Sequence, residues 1–252
     1  MAASLPMLID ALEHTWESTA ALAESLDTDE WSNTTGCPGW TVFDNVAHIV
    51  GLERALMGDP EPDVTIPDGL PHIKNDVGRY METHIEARRG TPPSELVAEL
   101  RAMAKERIDY LRSLPDSMFD EEVPGPMGFP VKLGAFLNTR LFDSWAHEQD
   151  IRRAVGRPGN LRSPEARLTL ERTAKGLARK LAEARPVRIA VTGEQDLTFE
   201  VGGGEPVADI TVPFDVYIPL VCGRDDADLS QVKIDGDEAA AQAVIAALGI
   251  TP

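Results

Sequence analysis

The sequence predicts a two-domain α+β protein, with an all-helical domain over residues 1–157 and a small α+β domain over residues 158–252. Two observations predict this class. Apolar residues recur at steps of three and four through the first part, the period of helices that bury one face. Short apolar or alternating runs of strand length appear only after residue 186. The segment 156–160, rich in glycine and proline, separates the two patterns and predicts the domain boundary.

The first domain is predicted to contain an up-down bundle of four helices with one extra helix. Thr41, with Asp44 three residues later, has the spacing of a capping box, so we expect the second helix to begin there. The proline-rich segment 114–130 is predicted to be a long irregular connection. The predicted helices span residues 5–26, 41–56, 75–89, 95–114 and 132–155.

The second domain is predicted to be a small α+β domain. Glycine-containing turns separate its apolar runs, as expected of short strands in an α+β fold. The predicted helices span residues 164–184, 214–223 and 238–248, and the predicted strands span residues 187–192, 197–201, 208–212 and 232–234.

The composition excludes several classes of partner. The chain has 42 acidic and 24 basic residues and a net charge of −18, which repels a nucleic-acid backbone.

Cys37 and Cys222 form no paired framework, so we expect reduced, packed thiols. No secretory signal or membrane-spanning run is apparent, so we expect a cytoplasmic protein without a membrane partner. The sequence does not specify the oligomeric state.

The helix predicted over residues 132–155 is the most informative segment. It is apolar almost all round, which predicts burial, so its polar side chains must find partners or line a cavity. Asp143 and His147 lie four residues apart and therefore on one helix face. Arg140 and Asp150 continue that face at steps of three. They can pair with helix neighbours, and Asp150 can alternatively orient the His147 imidazole.

His48, in the second apolar helix, supplies a third candidate ligand. Asp143, His147 and His48 together predict a metal site with an open coordination position, as in catalytic zinc sites. The alternative is a buried hydrogen bond between aspartate and histidine. Asp44 lies four residues before His48, but capping is its expected role. The other histidines, His14, His72 and His84, are expected to be ordinary core or surface residues.

Three segments carry a family resemblance. The segments CPGWTVFDNVAHI (37–49), DSWAHEQDIRRAVGRPGN (143–160) and VCGR (221–224) resemble the mycothiol-dependent maleylpyruvate isomerase family, whose N-terminal part is a DinB-like metal-binding four-helix bundle. The resemblance implies a divalent metal, usually zinc, on His48, Asp143 and His147, with Arg224 as the arginine that the second domain contributes to the site. Arg224 could hold a substrate carboxylate through a bidentate pair; the alternative is a surface arginine after a helix-ending glycine. Members have glutamate at the position of Asp143. The shorter Asp143 requires closer helices or an intervening water.

The resemblance implies an enzyme that uses mycothiol and acts on a small electrophile, from an actinobacterium. A metal-bound thiol is deprotonated, and its addition to a conjugated cis double bond allows rotation before elimination. The same site would suit a thiol S-transferase. Two alternatives stay open: a hydrolase that uses metal-activated water, and a non-catalytic metal-binding or stress-response protein on the same scaffold.

Overall fold

The computed structural model describes residues 3–250. Residues 1–2 and 251–252, at the outer ends of the two predicted domains, lie outside this range. The described chain divides into two compact units, residues 3–158 and 159–250.

The first unit is a bundle of four helices with one extra helix, as the sequence predicted. Helices α1 and α2 each pack against both α4 and α5, and α3 packs on α2. The five helices are α1 (Leu5–Glu24), α2 (Val42–Leu56), α3 (Asp76–Glu86), α4 (Pro93–Ser113) and α5 (Leu133–Ala154). The arrangement brings α2 and α5 side by side, and these are the two helices that hold the predicted ligands.

The predicted capping box at the start of α2 is confirmed. The Asp44 backbone N–H donates to Thr41 Oγ1 at 3.3 Å, and the Thr41 backbone N–H donates to Asp44 Oδ2 at 2.9 Å. These bonds satisfy two donors that the helix itself leaves unpaired. The start of α2 is therefore fixed locally, and with it the direction in which His48 leaves the helix.

Helix α5 is buried on nearly all sides, as its apolar sequence predicted. Trp145, Leu141 and Ile151 are fully buried, and so are several polar residues between them. A buried polar group is costly unless it is hydrogen-bonded or paired. The polar residues of α5 therefore meet partners from other helices, and these contacts form the candidate site.

The segment 114–130 differs from the irregular connection that the sequence predicted. It contains two 3-10 turns and the first strand of a short hairpin, in which β1 (Glu122–Pro124) pairs antiparallel with β2 (Pro130–Lys132). Strands of three residues are too short to show alternation in sequence, and prolines at a strand end suggest a loop. The hairpin leads directly into α5.

The second unit is built on a four-stranded sheet of order β4-β3-β5-β6. The central strands β3 and β5 run parallel, and the two outer strands are antiparallel to them. Alternate residues of β3 and β5 are buried, as expected of a sheet with one covered face. The elements are α6 (Pro164–Lys180), β3 (Val187–Thr192), β4 (Leu197–Val201), β5 (Ala208–Pro213), α7 (Phe214–Val221), β6 (Lys233–Gly236) and α8 (Glu238–Ala246).

Among residues 3–250, no helix is both long enough and apolar enough to cross a membrane.

The capping box generates a stability prediction. Replacing Thr41 with alanine removes the acceptor for the Asp44 N–H, so we expect Thr41→Ala to lower the free energy of unfolding by about 1 kcal/mol. Thr28→Ala, at an exposed turn position after α1, is the matched control and should change it by less than about 0.5 kcal/mol. Urea unfolding measures both; equal stability of the two variants would contradict a capping role for Thr41.

Candidate metal centre

The structure brings the three predicted ligands together between α2 and α5. Each of His48, Asp143 and His147 has one possible ligand atom that lies within 4.8 Å of those of the other two. His48 Nε2 is 3.1 Å from Asp143 Oδ2, and His147 Nε2 is 3.7 Å from Asp143 Oδ1. The second distance is too long for a hydrogen bond. Asp143 therefore has no direct hydrogen bond to its helix neighbour His147. The predicted alternative, a buried hydrogen bond between aspartate and histidine, is formed between Asp143 and His48.

Asn45 determines which nitrogen of His147 carries the proton. The Asn45 Nδ2 group donates to the Thr41 carbonyl oxygen at 2.8 Å, so Asn45 Oδ1 must be the acceptor for His147 Nδ1–H at 2.7 Å. In the neutral ring the Nε2 lone pair then faces the Asp143 carboxylate. A cation between these two atoms would stabilise both.

The His48 ring is buried and differs from His147 in its outer contact. Burial lowers the pKa of His48 to about 4, against the opposing influence of Asp143. The ring is therefore neutral at neutral pH, the form in which imidazole binds a metal. Within the described chain, His48 Nδ1 is buried and has no hydrogen-bond partner.

Asp143 is the charged and most accessible member of the cluster. Burial alone would raise the pKa of its carboxyl, but the neighbouring Arg140 guanidinium and the histidines outweigh burial and hold that pKa well below its ordinary value. The Asp143 side chain is 28% exposed, whereas those of His48 and His147 are 4% and 6% exposed. The cluster therefore reaches solvent on the side of Asp143.

Arg140 belongs to a buried ion-pair array behind Asp143. Its Nη1 donates to Asp143 Oδ2 at 2.9 Å, and its Nε donates to Glu53 Oε1 at 2.7 Å. Arg107 Nε, from α4, donates to the other Glu53 oxygen at 3.1 Å. The predicted pairing of Arg140 with a helix neighbour is confirmed for Asp143. Glu53, which links the two arginines, was not predicted.

Asp150 makes both kinds of contact that the sequence left open, one to the His147 ring and one to a helix neighbour. Its Oδ2 lies 3.3 Å from His147 Nδ1, and its Oδ1 accepts a hydrogen bond from Arg153 Nη2 at 2.6 Å. Asn45 is the closer partner of His147, and its role was not predicted. Asp44 has its expected capping role and accepts a hydrogen bond from Arg89 Nε at 3.1 Å.

Two residues at the start of the first sequence motif also lie against the cluster. The Trp40 indole packs over both imidazoles, with ring centroids 4.9 Å from His48 and 5.4 Å from His147. A Cys37 donor atom lies within 4.8 Å of donor atoms of His147 and Asp150. Simple packing was expected for Cys37, and nothing in its sequence context indicated this position beside the cluster.

The donor set fits a divalent cation of the zinc type. It offers two imidazole nitrogens and one carboxylate oxygen, the ligand types that zinc prefers, in the number that leaves a position for a further ligand. The Asn45 contact orients His147, as the outer hydrogen bonds of metal-binding histidines commonly do.

The remaining predicted residues have contacts within their own units. His14 is exposed, His72 contacts Glu82 at 3.1 Å, and His84 is buried, with an Nε2 atom that has no hydrogen-bond partner within residues 3–250. Arg224 belongs to the second unit, is half-buried and donates from Nη1 to the Cys222 carbonyl oxygen at 3.0 Å.

The fold and the cluster together define a helical-bundle protein with a candidate His-Asp-His metal centre and an appended α+β unit. Residues 12–152 match the family model described as the mycothiol maleylpyruvate isomerase N-terminal domain. The chain belongs to this family.

Solved structures share the fold of this chain, and a curated relative is similar to part of it. A crystal structure of mycothiol-dependent maleylpyruvate isomerase aligns over 93% of this chain and 95% of its own, with a TM-score of 0.64 and 15% identity. A histidine-to-alanine mutant of such an enzyme aligns over the same shares, with a TM-score of 0.60 and 14% identity. An uncharacterized protein of Mycobacterium tuberculosis is 22% identical over 54% of this chain and 51% of its own length. This chain therefore spans about half the length of the curated relatives that it matches.

The ion-pair array generates a second stability prediction. Glu53→Gln removes the charge between two buried arginines, and an uncompensated buried charge costs about 3–5 kcal/mol. We expect a loss of that size in the free energy of urea unfolding. The control is Glu106→Gln, because Glu106 pairs with Arg54 at the surface and is 58% exposed. Its loss should stay below about 1 kcal/mol, and an equally small loss for Glu53→Gln would contradict the array's role.

Proposed function

We propose that the protein is a divalent-metal enzyme that uses mycothiol and acts on a small electrophilic substrate, as a cis-trans isomerase of the maleylpyruvate isomerase type or as a thiol S-transferase. One observation carries the proposal. In a member of the mycothiol maleylpyruvate isomerase family, the imidazoles of His48 and His147 and the ionised carboxylate of Asp143 meet, with one donor atom of each within 4.8 Å of the others.

The residues would divide the work of holding the cation. His48 and His147 would bind through Nε2, the atoms nearest to Asp143. Asp143 would supply the negative charge, and Arg140 keeps that carboxylate ionised and in place. The nitrogen ligands favour zinc over magnesium or calcium, which prefer oxygen.

The bound ion would lower the pKa of a coordinated thiol and orient it, so that the thiol supplies the nucleophile for addition to the substrate. The accessible side of Asp143 is the face from which the thiol and substrate would approach. Trp40 packs against both imidazoles, and the side chains of His48 and His147 are buried. We propose Arg224 as the residue that binds a substrate carboxylate, because guanidinium pairs with carboxylate in bidentate geometry.

Metal content and turnover in histidine variants test this function. His48→Ala and His147→Ala should lose the stoichiometric divalent ion and the mycothiol-dependent turnover of maleylpyruvate or small electrophiles. His14→Ala replaces an exposed histidine and should keep both. Metal analysis, circular dichroism and assays with and without mycothiol provide the measurements.

Each assay outcome separates one function from another. Turnover retained in a folded His147→Ala protein would sink the proposed mechanism. Turnover in the absence of any thiol would favour metal-water hydrolysis. A wild-type protein that binds the ion without turnover of any such substrate would favour the non-catalytic role.

The length of the acidic ligand generates a separate prediction. The family resemblance places glutamate where this chain has Asp143, so Asp143→Glu should bind Zn²⁺ at least as tightly as the wild type. Asp143→Asn keeps the size of the side chain and removes its charge, so it should bind more weakly. Competition with a chromophoric chelator measures both. A large loss for Asp143→Glu would mean that this bundle has adapted to the shorter side chain.

A further inference from the structure

We infer that Trp40, held by the buried carboxylate of Glu82, is a positioning residue that fixes the His48 ring and thereby sets the metal affinity of the cluster. The inference rests on the proposed metal binding and assigns a role to two residues outside the ligand set.

Trp40 covers both candidate ligand rings at once. Its indole is tilted by 38° to the His48 ring and by 37° to the His147 ring, and the two imidazoles lie edge to face with centroids 4.8 Å apart. A flat side chain against an imidazole restricts rotation of that ring. It also keeps water from the ring face and favours the positive charge that an imidazole acquires on binding a cation.

The two histidines differ in what orients them. His147 donates from Nδ1 to Asn45, which fixes its ring plane. His48 Nε2 is hydrogen-bonded to Asp143 Oδ2 at 3.1 Å, but this is the nitrogen that would bind the cation. His48 Nδ1 has no hydrogen-bond partner among the described residues, so with a cation on Nε2 no hydrogen bond would fix the ring plane. The Trp40 indole would then be the contact that fixes it.

Glu82 fixes the indole in turn. Trp40 Nε1–H donates to Glu82 Oε2 at 3.1 Å, and Glu82 is completely buried. The same carboxylate lies 3.1 Å from His72 Nε2 and 2.8 Å from Arg89 Nη2. Three partners compensate for burial of this charge, so Glu82 has little freedom to move. Arg89 also contacts Asp44, which joins this group to the cap of α2.

The backbone before Trp40 supports the same geometry. Gly39 has a φ of 78°, and a Cβ atom at this position would collide with the His72 ring. Only glycine adopts this conformation readily and leaves space for that ring. The turn therefore places His72 and Trp40 on the same carboxylate.

Cobalt(II) and zinc(II) binding to Trp40 variants tests the inference. Trp40→Leu should bind Co²⁺ and Zn²⁺ about 10- to 100-fold more weakly than the wild type, the range for residues that orient metal ligands. The Co²⁺ absorption bands should shift, because the His48 ring is no longer held in one plane. Trp40→Phe keeps a ring over His48 and removes only the hydrogen bond to Glu82. Its metal affinity should therefore fall less than that of Trp40→Leu, and its Co²⁺ spectrum should stay close to that of the wild type.

Trp31→Leu is the matched control. Trp31 is buried in the same unit but packs edge-on against Phe43, with centroids 6.1 Å apart, and not against the cluster. The Trp31→Leu variant should be less stable than the wild type, with unchanged metal affinity and an unchanged Co²⁺ spectrum. If Trp40→Leu does not fold, Glu82→Gln is tested in its place. Its metal affinity should also fall, but by less than is expected for Trp40→Leu.

The outcomes separate this inference from the proposed function. Wild-type affinity and an unchanged Co²⁺ spectrum in folded Trp40→Leu or Glu82→Gln would overturn the positioning role and leave metal binding intact. A wild-type protein that binds neither Co²⁺ nor Zn²⁺ would overturn the metal centre itself and this inference with it.

Discussion

The carboxylate of Glu53 is the contact on which the candidate site depends. It lies between Arg107 of α4 and Arg140 of α5, while Glu53 itself belongs to α2, so three helices of the bundle meet at one buried charge. Ion pairs of this kind contribute little net stability when complete, but they tolerate few arrangements. Because Arg140 also binds Asp143, the packing of the bundle and the position of the acidic ligand are determined together.

The main features of the fold and the central residues of the site could be predicted from the sequence. The helices show an apolar period of three to four residues, and α5 is apolar all round, so its polar residues stood out. Spacing placed Asp143 and His147 on one face, and the Thr41 cap placed the start of α2 correctly. Predictions of this kind rest on contacts within a single helix, where neighbours in sequence are neighbours in space.

The supporting residues could not be predicted because their contacts are distant in sequence. Asn45 meets a partner 102 residues away, Glu53 meets Arg140 across 87 residues, and Trp40 meets Glu82 across 42 residues. In the sequence, each of these residues can also be explained as an ordinary member of its own helix or turn, so nothing marks it as part of the site. The hairpin before α5 escaped prediction for another reason, since strands of three residues with terminal prolines carry no periodic signal.

The position of the ligands on two helices has a consequence for folding. His48 and Asp143 are 95 residues apart in sequence, so a cation shared between them would close a long loop much as a covalent cross-link does. Binding would then stabilise the pairing of α2 with α5. Removal of the ion by a chelator would loosen that pairing before it affected helices such as α3. The same ion would therefore hold two helices of the bundle together and be the centre at which the reaction takes place.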